Sequence, residues 1–397
     1  MDGRPRAGHN SVMSLQDATL QPARPLAEPG EIGAGGILTI DLSAIEANWK
    51  KLNGMTVPVE CAAVVKGDAY GCGIEPVVTK LQKAGCKTFF VADVVEGQRV
   101  RALSLSAAIY VLNGYLPNTG RALTDANLKP VINSPTELAE WDAFVAANNW
   151  TGGAALQIDT GMNRLGLTVD EAIAIAARVK SENHGFMLLM SHFACADTPE
   201  HPMNDQQIRL FRELRILYRG VPSSLANSSG IFLGGTVHCD VVRPGAALFG
   251  VNPTPGRPNP MRSVVELKGR IIQVRHVKKG ESVGYGAAFT AARPSRLAIV
   301  AVGYADGYAR TAGATKAKPS AEVIIAGKRC PLAGRISMDL FAADVTDLPE
   351  GSARRGDFAT LVGGDIGVDE LGAMTGTIGY EVLTSLGRRY HRVYKGA

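Results

Sequence analysis

The 397-residue chain lacks several features that would narrow its function early. It has six cysteines, at 61, 72, 86, 195, 239 and 330, but no two are spaced Cys-x-x-Cys and no histidine pair accompanies them. That argues against a structural zinc centre. It leaves small buried or half-buried thiols in a reducing compartment. No apolar run approaches the ~18 residues of a membrane-spanning helix, and no apolar h-region marks a secretory signal. Lys plus Arg is 42 and Asp plus Glu is 37, a net charge of +5. This weak bias lacks the clustered basic residues of a nucleic-acid surface. The expectation is a cytoplasmic protein that binds neither nucleic acid nor membrane and holds no metal. No fixed-period repeat is present.

Three segments can be distinguished. Residues 1–36 carry Pro, Gly, Arg and Ser with little apolar periodicity and end in Gly33-Ala34-Gly35-Gly36. They read as a disordered N-terminal extension. Arginine content alone does not exclude a transit peptide, but Asp2, Asp17, Glu28 and Glu31 weigh against one. Across 37–262, eight short apolar runs alternate with amphipathic stretches: Cys61–Val65, Thr88–Val91, Ala108–Leu112, Lys129–Ile132, Ala154–Ile158, Phe186–Ser191, Pro222–Ala226 and Cys239–Val242. Helices are expected at Ser134–Ala147, with Ser134 as N-cap and Glu137 three residues on, and at Thr168–Lys180. Strands alternating with helices imply a parallel sheet with covered faces, and eight units match an α/β (β/α)8 TIM-like barrel. Across 263–397 the rhythm becomes strand and turn: Val264–Val274, Leu297–Val302, Ala321–Ala326 and Phe358–Val362, with a short helix at Val368–Thr375. This reads as a mostly β C-terminal domain.

Barrel chemistry sits at the carboxyl ends of the strands. There the sequence places Lys66, then Asp159–Gly166 with Arg164, Ser191-His192-Phe193, Asn227-Ser228-Ser229-Gly230 and Arg243-Pro244-Gly245. A lysine at the end of an apolar strand is partly desolvated, which lowers its pKa and suits it to attack a carbonyl. Small polar residues and glycines at the late strands suit a phosphate. Arginine offers a fork to a carboxylate or phosphate. A lysine, a phosphate cup and two arginines together suit a phosphorylated aldehyde held as a Schiff base, which is pyridoxal phosphate.

Lys66-Gly67-Asp68-Ala69-Tyr70-Gly71 resembles the cofactor-lysine motif of bacterial alanine racemases. The likeness continues in order through Asp159–Gly166, Ser191-His192-Phe193, Ala226-Asn227-Ser228, Arg243-Pro244-Gly245, Gly284-Tyr285-Gly286, Gly303–Tyr308, Arg335–Asp339 and Gly379-Tyr380-Glu381-Val382. It spans about residues 37–395. The resemblance implies pyridoxal 5'-phosphate held by Lys66, Tyr70, His192, Asn227, Ser228, Arg243, Gly245 and Tyr380. Of these, Tyr70, Ser228, the Gly245 backbone and Tyr380 take the phosphate, and Arg243 faces the pyridine nitrogen. Lys66 and the partner subunit's Tyr285 are the two bases. His192 lies close to Tyr285. Arg164, the backbone of Met338, and Tyr304 at the entrance contact the substrate. The implied reaction interconverts L- and D-alanine in a homodimer with composite sites, supplying D-alanine for peptidoglycan or degrading it. Inversion needs an acid/base on each face of a planar carbanion, which the cofactor stabilises. An arginine that keeps its proton, with a pKa above ~12, should leave the ring nitrogen unprotonated and limit side reactions.

Two departures stand out. Gln157 occupies a position where some members carry a lysine, sometimes carbamylated, so that it either bonds Arg164 or leaves it more available. Ser224 replaces a histidine four residues before Ser228, which is expected to loosen Arg243. Tyr308 and Phe289 read as core of the β domain. Asp306 and Asp339 read as structural acceptors. Arg335 and Arg310 either pair with acids near the entrance or solvate a face. Competing readings are a racemase of broader small-amino-acid range (serine, for example), a barrel-type decarboxylase and a non-catalytic cofactor carrier. Tyr285 argues against the decarboxylase, and the β domain against the carrier.

Overall fold

The computed structural model describes residues 33–180, 185–314 and 320–397. The expected N-terminal extension lies outside them, except for its last four residues.

The first strand, β1 (Gly36–Asp41), leads into the helix Leu42–Thr56, whose N-cap Asp41 accepts from Ala44 N. The barrel strands follow: β2 (Glu60–Cys61), β3 (Ala63–Val64), β4 (Thr88–Val91), β5 (Ala108–Val111), β6 (Lys129–Ile132), β7 (Ala154–Gln157), β8 (Phe186–Met190), β9 (Ser223–Ser224) and β10 (Val241–Val242). All eight expected runs carry strand. The first is split, with β2 and β3 flanking Ala62. Strands β3 to β9 form a seven-stranded parallel sheet in chain order, and β10 pairs with β2. Backbone bonds close the circle, from Asp240 N to Ser223 O, Arg243 N to Ala226 O, and Val64 N to Pro244 O. The middle strands are almost wholly buried apolar residues, because side chains fill the barrel and helices cover its outside.

Local chemistry sets the helix starts. Ser134 caps the helix Pro135–Asn148 by accepting from Glu137 N. The Glu137 carboxylate does not close a capping box. It accepts instead from Asn133 N at 2.7 Å and Tyr115 N at 2.6 Å, tying the loop after β5 to this helix. The capping box forms at Thr168 and Glu171, ahead of the helix Val169–Ala176.

The second layer is built on β11 (Val265–Val277), which pairs antiparallel with three strands. The hairpin strands β12 (Ser282–Val283) and β13 (Phe289–Thr290) follow, then β14 (Ser295–Val300), β15 (Glu322–Ile325), β16 (Lys328–Pro331), β17 (Phe341–Asp344), β18 (Phe358–Val362) and β19 (His391–Lys395). The expected helix Val368–Thr375 is present, followed by Gly379–Thr384.

One boundary is corrected. The sequence pattern puts residues 37–41 in the barrel segment, but β1 lies between β11 (antiparallel) and β19 (parallel) in the β sheet. Its apolar residues Ile37, Leu38 and Ile40 are buried there. The two ends of the described chain therefore meet in one sheet.

Candidate active site

At the carboxyl ends of the barrel strands lies a cavity of about 580 Å³. Lys66 opens onto it directly after β3. The chain then takes an unusual path, with Gly67, Asp68, Ala69 and Tyr70 all at φ between 52° and 66°. Left-handed backbone costs a non-glycine residue roughly 1–3 kcal/mol, so the turn must be held from outside. Glu96 accepts from Asp68 N at 3.0 Å, and Arg99 donates to the Asp68 carboxylate at 2.7 Å. From the β domain, Arg392 donates to Gly71 O at 2.6 Å and Tyr394 to Cys72 O at 3.1 Å. A Cβ on Gly71 would lie 2.3 Å from Leu383 O, so the helix Gly379–Thr384 packs on bare backbone. That helix brings Tyr380 to within 6.4 Å of Tyr70, ring to ring.

Ten of the residues singled out in the sequence line this cavity: Lys66, Tyr70, Gln157, Arg164, His192, Asn227, Ser228, Arg243, Gly245 and Tyr380. Among the described residues, the lining holds three basic side chains, Lys66, Arg164 and Arg243, and no aspartate or glutamate. Burial and then the Arg164 charge push the Lys66 ammonium below its ordinary value, which favours the free amine. Arg164 makes no hydrogen bond or ion pair among the described residues, and its fork is available. Gln157 donates to Leu165 O at 3.0 Å and leaves that fork alone.

Arg243 is buried. Its Nη2 donates to Ser191 O at 2.6 Å and lies 3.4 Å from His192 Nδ1, and its Nη1 donates to Ser224 Oγ. Ser224 in turn donates to Val241 O at 2.5 Å. Ser224 therefore anchors Arg243, and the expectation that it would loosen the arginine is corrected. A short hydroxyl reaches the guanidinium directly because β9 and β10 run side by side. Burial pulls Arg243 down to about 10, below the expected value, yet it remains a cation at neutral pH. His192 is pushed down to about 3 by burial and by Arg243, Arg164 and Lys66. It is therefore neutral. Because arginine can only donate, Nδ1 is the acceptor and Nε2 carries the proton.

Ser228 Oγ accepts from Gly245 N at 3.0 Å and Ala247 N at 3.2 Å. A hydroxyl has two acceptor sites and one donor, so its proton is left to donate to an anion. The Gly245 N–H is thus committed to Ser228. What the glycine provides is clearance, since a Cβ there would lie 2.3 Å from the Tyr70 hydroxyl. Asn227 Oδ1 accepts from Gly230 N at 2.8 Å and shapes the same loop.

Tyr285, Tyr304 and Met338 lie elsewhere. Tyr285 sits between β12 and β13 and is 71% exposed, while Tyr304 is 42% and Met338 54% exposed. None lines the cavity. The latter two are neighbours: Met338 O accepts from Ala305 N at 3.0 Å, and Ser337 O from Tyr304 N at 3.1 Å. Tyr308 is core, stacked on Phe341, and Phe289 is half-buried against the small apolar cluster of the β domain. Asp306 and Asp339 both pair with Arg389.

The sequence reading missed Thr160, Ser191 as a hydrogen-bonding group, and Gln207. Thr160 Oγ1 and Ser191 Oγ are both buried and 2.8 Å apart.

Comparison with known proteins places this geometry. Residues 40–253 match the family model for the alanine racemase N-terminal domain, and residues 264–394 match the model for its C-terminal domain. An alanine racemase of Methylobacterium sp. (strain 4-46) is 49% identical over 91% of this chain and 98% of its own. A catabolic alanine racemase of Mesorhizobium japonicum is 44% identical over 92% and 95%. The crystal structure of alanine racemase from Bartonella henselae with covalently bound pyridoxal phosphate superimposes with a TM-score of 0.86 at 36% identity, covering 91% of this chain and 99% of that one. A barrel with a lysine at its first strand end, a β domain built on both ends of the described chain, and both family models matched in order make this chain a member of the alanine racemase family.

Proposed function

We propose that this chain interconverts L-alanine and D-alanine with pyridoxal 5'-phosphate as cofactor, in a homodimer whose active sites are each completed by the other subunit. The observation that carries the reading is Lys66, its ammonium destabilised, in a cavity with two arginines and no carboxylate. Arg243 is buried and Lys66 half-buried, and cations drawn out of water without counter-ions call for anionic ligands. A phosphate and a substrate carboxylate meet that requirement.

Ser228 donates its free proton to the phosphate, with Tyr70 and Tyr380 beside it, and clearance at Gly245 leaves room. Arg243 would hold the pyridine nitrogen of the cofactor while keeping its own proton. When bound, pyridoxal phosphate would supply an electron sink for the pair left at Cα. Lys66 takes or returns that proton on one face. The opposite face needs a second acid/base, and the partner subunit's Tyr285 supplies it. In support, Tyr285 of one chain stands exposed on the β domain, away from its own cavity. Tyr304 and Met338 are exposed on the same domain, and in the dimer they would frame the entrance and offer a backbone N–H to the substrate carboxylate. The free fork of Arg164 binds that carboxylate or the phenolic oxygen of the cofactor. An entrance framed by Tyr304 and Tyr380 in the dimer would favour small side chains.

No helix of the described residues is long and apolar enough to cross a membrane. We place the enzyme in the cytoplasm, where its six free cysteines stay reduced. There it supplies D-alanine for peptidoglycan or degrades it. The test is incubation of the cofactor-loaded protein with L-alanine and, separately, L-serine. Alanine is expected to reach an equal mixture of enantiomers, with serine slower. Inversion of serine alone would move the substrate, and release of carbon dioxide would replace the reaction.

A further inference from the structure

The helix Pro202–Leu217 turns four side chains inward: Asn204, Gln207, Phe211 and Leu214. The last two are apolar, as a covering helix requires. Gln207 is polar and 0% exposed. A buried amide costs roughly 1–3 kcal/mol unless its atoms are bonded, and here both ends are. Its Oε1 accepts from Ala194 N at 3.0 Å. Its Nε2 donates to His192 O at 2.8 Å and to Thr160 Oγ1 at 3.1 Å. The amide thus grips the backbone on both sides of Phe193, at the end of β8. Since Thr160 Oγ1 receives that bond, its own proton is free for Ser191 Oγ, 2.8 Å away. Ser191 O is the acceptor on which Arg243 Nη2 rests at 2.6 Å, and the same nitrogen meets His192 Nδ1 at 3.4 Å. Neither Gln207 nor Thr160 lines the cavity.

We propose that Gln207 is a positioning residue of the cavity: it fixes the His192 segment directly and, through Thr160 and Ser191, the carbonyl on which the Arg243 guanidinium sits. Gln207 acts from the outer helical layer by locking the loops after β7 and β8 to each other. Its consequence for turnover rests on the racemase reading, whereas its consequence for His192 does not.

The experiment compares the cofactor-loaded wild-type protein with Gln207→Met, Thr160→Val and Thr160→Ser, and with the double variant of the first two. Three readouts are taken: the ¹⁵N signals of the His192 ring, kcat and KM for each enantiomer, and Tm. Gln207→Met is expected to shift the His192 signals and to lower kcat about tenfold or more for both enantiomers, the scale of lost supporting bonds around a site. KM should change little. Thr160→Val should act in the same direction and Thr160→Ser should restore wild-type behaviour. The double variant should be no slower than Gln207→Met, because both break one connection. Unmoved His192 signals in folded Gln207→Met, or a lowered Tm with kcat intact, would overturn the proposal, as would multiplying effects in the double variant. If Gln207→Met fails to fold, the two Thr160 variants decide by the same signals. A wild-type protein that inverts neither enantiomer would sink the racemase reading, and the His192 signals would still decide the positioning.

Discussion

The cavity sets charge against burial at single side chains. Lys66 is the clearest case. Loss of its amine in Lys66→Ala should abolish the long-wavelength absorbance of bound cofactor together with racemisation. An intact band would assign the cofactor to another lysine. His192 ties the site to stability. Its ring titrates near 6.5 when unfolded and about 3 in the fold. Between those values the unfolded chain binds more protons, so stability rises with pH across this window and is lost as pH falls from about 6.5 to about 3. One proton corresponds to a slope of about 1.4 kcal/mol per pH unit. His192→Gln should flatten the denaturation-versus-pH curve there by up to that amount. An unchanged slope would show that His192 titrates normally in the fold. Ser224→Ala removes one acceptor of the buried Arg243 and should destabilise the protein by about 1–3 kcal/mol in chemical denaturation.

At the scale of elements, the segments after β3, β5, β7, β8, β9 and β10 line the cavity, and glycines set how closely elements approach. A Cβ in Gly245→Ala would collide with the Tyr70 hydroxyl. Overpacking of this kind costs about 1–3 kcal/mol, and displacing Tyr70 should weaken cofactor binding about tenfold or more, read as the dissociation constant of pyridoxal phosphate. Undiminished affinity would separate Tyr70 from phosphate binding. Much of this architecture was legible in the chain. Apolar runs such as Thr88–Val91 stop abruptly, and the residue after Val65 or Ile158 announces a functional end. What was not legible depends on contacts distant in sequence. β1 and β19 join only after the whole chain has folded. Gln207 looks like an ordinary polar residue in a helix until Thr160 and His192 are brought beneath it. Asp68, Ala69 and Tyr70 carry no local signal for left-handed backbone, because Glu96, Arg99 and Arg392 impose it from elsewhere. Ser224 invited the wrong inference for the same reason, since its distance to Arg243 is set by the pairing of β9 with its neighbours.

For the whole molecule, the separation of Tyr285 from the cavity is the organising fact. Dimerisation would cover its exposed surface and complete two sites at once, and a C2 arrangement gives each subunit the same task. Lys66→Ala and Tyr285→Ala homodimers should both be inactive. Mixing them under subunit exchange should restore activity in the heterodimers, each of which holds one intact site. Continued inactivity of exchanged mixtures would mean that Lys66 and Tyr285 serve the same subunit's site.

The most direct test of the two-base account is solvent deuterium incorporation at Cα of L-alanine and D-alanine, followed by NMR in the wild-type protein and in Tyr285→Phe. The account expects wild-type exchange to be accompanied by inversion from either enantiomer. In the variant, exchange should persist for one enantiomer without inversion and collapse for the other. Equal loss for both enantiomers, or inversion at the wild-type rate, would contradict the role given to Tyr285 and with it the composite site.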